Sequence, residues 1–320
     1  MKYAWYPGCS AEGNSFAYDE TSRMIAEALG IEFREIDDWN CCGATEYFSV
    51  NQLPAYALVA RNLALINAEE TPQVIAPCSA CYINLKKTDE KMAKHEQLNA
   101  QVNEALGAGH LSYEPGSIKS RHFLDVVCND VGYEAIKEKI TQSLAGLTLI
   151  PYYGCYMGRP EDNFDHPERP QTMDTLLKTL GADVPDYSLK TTCCGGHMTQ
   201  LSAEASMRIL QHLLEGADQL SADAMVVGCP MCQLNLDAYQ ADVNNEYKTN
   251  YQIPIVYFSQ IMGLAFGMDP ETLMFERGII SSKPMLEKWN STEPASKKRV
   301  RRKKRDKNAL PMPKPLEVEV

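Results

Sequence analysis

The chain has 320 residues, of which 44% are hydrophobic and 23% are charged, and its formal net charge is −11. This composition excludes collagen-like, mucin-like and wholly disordered chains. At ~150 residues per domain the length predicts about two domains, each large enough to bury a core without disulfides or metals. Small size therefore does not explain the 11 cysteines.

The N-terminal segment and the hydropathy pattern predict a cytoplasmic protein without a transmembrane segment. The segment from Met1 to Cys9 has neither an apolar core after a basic start nor a small-residue cleavage site. The apolar stretch from Ile253 to Met268 is interrupted by Pro254, Ser259 and Gln260, so it falls short of the ~18 apolar residues of a membrane span. Cytoplasmic thiols stay reduced, and when clustered they are more often metal ligands or catalytic groups than disulfides.

Predicted strands and helices alternate along the chain, and their order repeats. In chain order, the pattern predicts a strand over 3–6, helices over 18–29 and 53–68, a strand over 73–76, then a strand over 147–153, helices over 171–180 and 203–217, and a strand over 224–227. Gly30 and Gly181 stand where glycine commonly follows the end of a helix. This alternation predicts an α/β fold of two homologous repeats with mainly parallel sheets.

Three sequence blocks occur twice in the same order and indicate a duplication. The matching pairs are Tyr6-Pro7-Gly8-Cys9 with Tyr152-Tyr153-Gly154-Cys155, Cys41-Cys42-Gly43 with Cys193-Cys194-Gly195, and the residues from Ala76 to Leu85 with those from Val227 to Leu236. The offsets are 146, 152 and 151 residues. We therefore expect two domains related by a pseudo-two-fold duplication, at 1–146 and 147–290, followed by a tail at 291–320.

The tail differs in charge from the rest of the chain. Residues 291–320 contain ten Lys and Arg and four Asp and Glu, a net charge of +6, so the first 290 residues carry −17. The basic run from Lys297 to Arg305 has no apolar periodicity, and three prolines follow it, which predicts disorder. The tail could be a solvated extension, or it could bind anionic lipid, an acidic partner protein or the acidic body. Nucleic acid is disfavoured, because the body would repel it.

Ten of the 11 cysteines form two copies of one pattern. The first cysteine set is Cys9, Cys41, Cys42, Cys78 and Cys81, and the second cysteine set is Cys155, Cys193, Cys194, Cys229 and Cys232. Five thiols are one more than a tetrahedral zinc ion takes, and adjacent side chains diverge. A multi-iron cluster accepts such a set more readily. Each Cys-x-x-Cys is predicted where a strand turns into a helix, whose N-terminus favours the thiolate form.

From Tyr3 to about Gly267 the chain resembles the cysteine-rich CCG domain in two copies, as in the B-subunit of heterodisulfide reductase. The resemblance implies that each cysteine set holds a non-cubane 4Fe-4S cluster, with all ten cysteines as ligands. It also implies that a disulfide binds between the clusters and is cleaved in one-electron steps. The implied partners are the ferredoxin-like C-subunit and the flavoprotein A-subunit of the same complex. The chain has no ferredoxin-type cysteine run and no Gly-x-Gly-x-x-Gly after a strand, so electrons are expected to pass to or from another subunit.

Other residues near the cysteine sets carry separate predictions. His197 could protonate a product thiolate or donate a hydrogen bond to a cluster sulfide, although a lone histidine beside a ligand loop more often packs against or supports that loop. Cys128, in an apolar run, is predicted to be a small buried hydrophobic residue. Arg159, Arg169 and Lys190 flank the second set, where they could pair with an anionic substrate, although solvated surface charge is the more common role of such residues.

Two alternative functions fit the same residues. The chain could be the electron-transfer or anchor subunit of a complex that oxidises sulfur or acts on succinate or fumarate, and peripheral membrane contact is compatible with that role. The cysteines could instead bind zinc and stabilise a non-enzymatic scaffold. Metal analysis separates the scaffold from the redox functions, because about two zinc ions per chain without sulfide would exclude an iron–sulfur protein.

Overall fold

The computed structural model describes residues 1–44, 46–159 and 164–291. The first half of the chain contains, in order, β1 (Lys2–Trp5), α1 (Phe16–Ala28), β2 (Glu32–Glu35), α2 (Glu46–Val50), α3 (Gln52–Ala64), β3 (Gln73–Ala76), α4 (Ser79–Lys94), α5 (Glu96–Gly107), β4 (Lys119–His122), α6 (Phe123–Asp125), a π-helical segment (Val126–Val131) and α7 (Tyr133–Glu138). The second half contains β5 (Leu149–Tyr152), α8 (Thr172–Thr179), α9 (Met198–Leu201), α10 (Ala203–Gln219), β6 (Ala224–Val227), α11 (Pro230–Ala238), α12 (Gln240–Tyr247), β7 (Ile255–Tyr257), α13 (Phe258–Ala265), a 3₁₀ turn (Phe275–Arg277) and α14 (Lys283–Ser291). The predicted basic tail lies outside the described residues beyond Ser291.

Each half is built on a parallel sheet. The first has the strand order β2-β1-β3-β4 and the second the order β5-β6-β7, and the paired strands run parallel. Beside β5, a single parallel bridge between Thr148 and Asp183 lies where β2 lies in the first sheet. The α/β fold with parallel sheets is therefore confirmed, and the fourth strand of the second half is reduced to one bridge.

The predicted element bounds agree closely with the structure where the hydrophobic pattern is strong. β3 and β6 have the predicted bounds, and α10 extends two residues beyond its predicted end. The helix predicted over 53–68 ends earlier, at Ala64. Gly30 and Gly181 each follow the capping residue of a helix, with φ of +71° and +98°, so the predicted left-handed position is confirmed at both helix ends.

The two halves pack against each other through α1 and α13. The Tyr18 and Tyr257 rings stack with centroids 4.1 Å apart and planes inclined by 2°. The hydroxyls of Thr21 and Ser259 lie 2.7 Å apart in the same buried interface. One hydrophobic core includes residues of both halves, and an aromatic pair of this kind contributes about 1 kcal/mol beyond its buried area. The residues that follow β3 and β6 also meet between the halves, where the Ser79 hydroxyl donates to the Gly228 carbonyl at 3.3 Å.

α13 is the most apolar helix of the interface, and all eight of its residues are buried in the protein. Within the described residues, no helix combines the length and the apolar character needed to cross a membrane.

Candidate metal centre

The cysteines lie where the strands of each sheet end. Cys78 follows β3 and caps α4, and Cys229 follows β6 and caps α11, both with extended backbone. The predicted strand-to-helix position of the Cys-x-x-Cys motifs is therefore confirmed. Crevices beyond the carboxyl ends of parallel strands are the usual location of sites in open α/β sheets.

Within each cysteine set the sulfur atoms are close together. In the first set, the Sγ atoms of Cys9 and Cys41 are 3.5 Å apart and those of Cys42 and Cys81 are 3.4 Å apart. The corresponding separations in the second set are 3.7 Å for Cys155 and Cys193 and 3.6 Å for Cys194 and Cys232. The structure thus brings together the thiols that the sequence grouped by spacing.

The two sets also meet each other, because the Cys78 thiol interacts with the Cys229 thiol. The ten sulfurs therefore form one row in the order Cys9, Cys41, Cys42, Cys81, Cys78, Cys229, Cys232, Cys194, Cys193, Cys155. Among the described residues, no three Cys, His, Asp or Glu side chains converge on the position of a single ion. A row of thiols suits several metals better than one tetrahedral ion.

The thiols of each vicinal pair differ in acidity. Hydrogen bonds from Cys42 and Cys9 hold the pKa of Cys41 far below its usual range, and the N–H of Gly43 lies 3.4 Å from its sulfur. The hydrogen bond between Cys41 and Cys42 raises the pKa of Cys42 to about 11. In the second set the pKa of Cys193 is likewise lowered by hydrogen bonds from Cys155 and Cys194. Contacting thiols cannot all ionise by themselves, so full ionisation requires a cationic partner.

Two glycines allow the cysteines to approach the first loop of each half. Gly8 has φ of +82° and Gly154 has φ of +65°. A Cβ at Gly8 would lie 3.1 Å from the Cys81 sulfur, and one at Gly154 would lie 3.0 Å from the Cys232 sulfur. At both glycines the atom that a side chain would meet first is therefore a cysteine sulfur.

A cavity of about 430 Å³ opens onto the second cysteine set. All five cysteines of that set line it, and no cysteine of the first set is among its lining residues. His197 from the second half and Glu46 from the first half contact each other at the cavity wall. Val50 and Leu201, which are 87% and 84% exposed, also line it and end the short helices α2 and α9. The cavity is therefore built by both halves and has an apolar rim.

The cysteine-rich domain family (CCG) matches residues 3–86 and 150–237, which together make up more than half of the chain. The chain belongs to this family. Its two copies coincide with the two cysteine sets, so the predicted duplication of a CCG domain is confirmed.

Relatives of the CCG protein are similar over almost their whole length. The chain is 31% identical over 283 residues to the 8-methylmenaquinol:fumarate reductase membrane anchor subunit of Wolinella succinogenes, covering 88% of this chain and 98% of the relative. It is 32% identical to a heterodisulfide reductase B-subunit-like protein of Archaeoglobus profundus, covering 85% and 92%. It is 29% identical to the B-subunit of the ferredoxin:CoB-CoM heterodisulfide reductase of Methanosarcina mazei, covering 90% and 96%. The resemblance to the heterodisulfide reductase B-subunit is therefore confirmed, and the family supports an oxidoreductase role in iron–sulfur electron transfer.

The fold of the CCG protein is also similar to a solved structure. A crystal structure of a hypothetical protein from Helicobacter pylori matches it with a TM-score of 0.69 at 14% identity. The match covers 88% of this chain and about half, 52%, of the other chain. At this identity the similarity concerns the fold alone.

The loop that contains each vicinal cysteine pair, Cys41–Cys42 or Cys193–Cys194, is called the CCG loop here. Each CCG loop is held by an asparagine that was not predicted as a site residue. The Asn84 amide donates to the carbonyls of Cys42 and Ala44, at 3.1 and 2.7 Å. The Asn235 amide donates to the carbonyls of Cys194 and Gly196, at 3.2 and 2.6 Å. Both asparagines stand three residues after the last cysteine of their set, and that repetition is the sequence signal that could have identified them.

A second cavity of about 610 Å³ adjoins the first and is basic. Lys87, Lys91 and Lys94 on α4 line it together with Arg159, and one carboxylate, Glu90, lies among them. It shares the lining residues Ser49 and Tyr156 with the cavity at the second cysteine set. In a body of net charge −17, this grouping provides a local attraction for anions.

Two further predictions are tested by burial. Cys128 is 2% exposed, so its predicted burial is confirmed. The prediction for Lys190 is wrong, because this residue is 5% exposed and its ammonium group lies 2.9 Å from the Asp174 carboxylate. The Tyr153 hydroxyl donates to the same carboxylate at 2.6 Å. Lys190 is therefore a buried partner of Asp174 near the segment before Cys155 and not a solvated surface charge. A buried charge of this kind requires its opposite partner.

The donor set of the two CCG domains fits an iron–sulfur group. Six of the ten cysteines, namely Cys42, Cys78, Cys81, Cys194, Cys229 and Cys232, are buried, and backbone N–H groups of the glycines after each vicinal pair face cysteine sulfur. Clustered thiols with nearby N–H donors are the ligand environment of iron–sulfur centres.

Proposed function

We propose that the protein is the iron–sulfur catalytic subunit of a complex of the heterodisulfide reductase type, which cleaves or forms a disulfide or related sulfur bond. The contiguous row of ten sulfurs, opening at one end into a cavity, is the observation that carries this proposal. In it, each cysteine set holds one non-cubane 4Fe-4S cluster. When bound, the clusters supply one-electron redox chemistry at sulfur.

The substrate occupies the cavity at the second cysteine set. Cleavage of a disulfide consumes two electrons and two protons and yields two thiols. The apolar rim formed by Val50 and Leu201 and the buried floor formed by Cys229 limit access of water to the bond that breaks. Placing the bond beside the cysteines is the main task of the cavity, since orientation contributes much of the rate in such reactions.

The adjoining basic cavity favours a substrate with an anionic group. A molecule whose sulfur lies at the second set reaches Lys87 and Lys91 through the shared residues Ser49 and Tyr156. Lysines provide a point charge for a carboxylate, phosphate or sulfonate. The substrate class is therefore a disulfide, or a sulfur compound of similar size, that carries negative charge at one end.

His197 is the candidate proton donor for a product thiolate. Its Nδ1 contacts the Glu46 carboxylate, and both residues line the cavity. A carboxylate partner fixes the orientation of the imidazole. The other ring nitrogen is then the atom that relays a proton from solvent to sulfur, since the side chain is partly exposed.

Electrons pass through the first cysteine set, because no cysteine of that set lines the substrate cavity. The donor is a ferredoxin-like subunit, itself supplied by a flavoprotein subunit, and the ferredoxin-like subunit reaches the cysteine row from the side of Cys9, which is exposed. Two of the similar proteins are named after the B-subunit of heterodisulfide reductase, which supports an assembly with partner subunits.

The test replaces Cys193 or Cys194 by serine in the anaerobically purified complex. Loss of one of two paramagnetic signals, together with loss of disulfide reduction by a reduced viologen dye, is the expected result. Cys128→Ser is the matched control, because it removes a buried thiol outside both sets, and it should retain both signals and turnover. Unchanged turnover in Cys194→Ser, or zinc without sulfide in the wild-type chain, would overturn the proposal.

A second candidate function is electron transfer in a fumarate-linked reductase. The similarity to the Wolinella succinogenes anchor subunit over 98% of that protein favours it. The two functions differ in the partner, so purification of the native complex separates them. A complex that reduces fumarate but no disulfide would select the second candidate.

A further inference from the structure

The hydroxyl of Tyr257 is buried without a hydrogen-bond partner among the described residues. Tyr257 ends β7 and is 4% exposed. Its backbone N–H donates to Gln260 Oε1 at 2.9 Å, whereas its phenol oxygen has no partner in the described part of the chain. A buried unpaired hydroxyl is unfavourable and calls for a reason.

The strand register places this phenol beside the second cysteine set. Tyr257 is the register partner of Val227 at the end of β6, and Cys229 follows two residues later. Burial, and after it the neighbouring Cys229 and Cys78 thiols, raise the pKa of Tyr257 well above its usual range. The register alone places the unpartnered hydroxyl next to the point where the two cysteine sets meet.

The hydroxyl of the neighbouring Tyr18 already donates its hydrogen bond elsewhere. The Tyr18 ring is stacked on Tyr257, but the Tyr18 hydroxyl already donates to the Pro77 carbonyl at 3.0 Å. The two phenols thus share one environment. The Tyr18 hydroxyl holds the backbone before Cys78, while the Tyr257 hydroxyl has no acceptor within the residues that the structure describes.

The residue of the first half that corresponds to Tyr257 is His122, and both of its ring nitrogens have hydrogen-bond partners. His122 ends β4 and is the register partner of Ala76 at the end of β3, as Tyr257 is of Val227. Its Nδ1 accepts the N–H of Leu124 at 3.1 Å and its Nε2 lies 3.1 Å from the Gly228 carbonyl. The duplication therefore placed a satisfied ring at one position and an unsatisfied donor at the other.

We propose that Tyr257 is a positioning residue whose hydroxyl donates a hydrogen bond to a sulfur of the iron–sulfur group bound at the Cys229 end of the second cysteine set. The proposal rests on the proposed function, because it needs that group to be bound. A hydrogen bond to such a sulfur stabilises the more negative, reduced state and raises the reduction potential. The two halves then differ in potential although their cysteine patterns are the same.

The experiment compares Tyr257→Phe with Tyr18→Phe in the full chain purified anaerobically. Both variants keep the stacked rings and remove one hydroxyl. Iron and sulfide contents are measured first, and the midpoint potentials then come from redox titration followed by electron paramagnetic resonance. We expect unchanged iron and sulfide contents in Tyr257→Phe and a lower midpoint potential for one signal. A tenfold fall in the ratio of reduced to oxidised centres at a given potential corresponds to a shift of about 59 mV. Tyr18→Phe, whose lost hydroxyl holds the backbone before Cys78 of the first set, should leave the potential of the signal that Tyr257→Phe shifts unchanged.

Two further measurements separate a hydrogen bond from a general packing effect. An exchangeable-proton coupling to the same signal, seen by electron–nuclear double resonance after exchange into deuterium oxide, should be lost in Tyr257→Phe. Tyr257→His, which restores a ring N–H, should move the potential back toward the wild-type value. Equal potentials in wild type and Tyr257→Phe at full iron content overturn this proposal alone. A wild-type chain without iron and sulfide overturns the proposed function as well.

Discussion

The Cys78 thiol, at the N-terminus of α4, interacts with the Cys229 thiol, at the N-terminus of α11 in the other half. Both thiols are buried. The Ser79 hydroxyl next to Cys78 donates to the Gly228 carbonyl at 3.3 Å, next to Cys229. The two cysteine sets are therefore one continuous structure, and a change at this junction should affect both.

Replacement of Cys78 by serine should disturb both cysteine sets. The variant removes a thiol of the first set and alters the immediate neighbour of Cys229, so we expect loss of the first paramagnetic signal and a changed second signal. Cys9→Ser is the matched control, because Cys9 lies at the exposed far end of the row. It should affect the first signal alone. An unaltered second signal in Cys78→Ser would show that the junction does not couple the sets.

Alanine at Gly8 or Gly154 should lower the iron content. Both glycines have positive φ, and an added Cβ would lie 3.1 or 3.0 Å from a cysteine sulfur. Alanine in the left-handed region costs roughly 1–2 kcal/mol wherever it stands. Gly30→Ala separates the two effects, because Gly30 has φ of +71° with no atom within 4 Å of the added Cβ. All three variants should lose stability in urea unfolding, and iron analysis should find a loss only for Gly8→Ala and Gly154→Ala.

The hydrogen bonds from Asn84 and Asn235 are expected to keep the CCG loops closed and so to slow the release of iron. Asn84→Ala removes two hydrogen bonds to backbone carbonyls, a loss of about 2 kcal/mol at about 1 kcal/mol for each. The loop of Cys41 and Cys42 should then open more often. We expect faster release of iron to a chelator from the first set in Asn84→Ala and from the second set in Asn235→Ala. Equal release rates in both variants and the wild type would contradict this role.

Much of the fold follows from the sequence because the hydrophobic pattern and the duplication agree. β3 and β6 are short apolar runs before a Cys-x-x-Cys, and two copies of that arrangement identify each other. β4 is different, since Lys119–His122 reads Lys-Ser-Arg-His, a polar sequence that no strand pattern predicts. Its Arg121 is buried because Asp125 and Asp130 pair with it, and an alternation of polar and apolar residues does not reveal that pairing.

The candidate site was predictable in part for a similar reason. Spacing alone grouped the ten cysteines, because the second half repeats nearly the same intervals as the first. The contact between the sets, the cavity that favours the second set, and the pairing of His197 with Glu46 all depend on how the two halves pack. Asn84 and Asn235 stood inside the repeated blocks, where their identical positions were a usable signal. The predicted tail offers no comparison, since it lies outside the described residues.

The pH dependence of stability should reveal the buried imidazole of His122. Because Nδ1 accepts the Leu124 N–H, Nε2 carries the proton and donates to the Gly228 carbonyl across the interface. Burial lowers the pKa of His122 to about 4, whereas the unfolded chain binds this proton at about pH 6.5. Between pH 6.5 and 4 the unfolded state holds more protons, so stability is complete above pH 6.5 and falls as the pH decreases.

Wild type and His122→Gln should therefore differ in slope as well as in stability. From pH 7 to pH 5.5 the titration of this one group removes about 1 kcal/mol of unfolding free energy, and His122→Gln lacks that contribution while carboxylates titrate alike in both proteins. Urea midpoints measured anaerobically at the two pH values give the double difference. Parallel pH profiles would show that His122 is already charged, or not buried, in the folded protein. The difference in unfolding free energy between wild type and His122→Gln is expected to narrow toward pH 5.5. Protonation of His122 then lowers the stability of the wild type, whereas the variant has no imidazole to protonate.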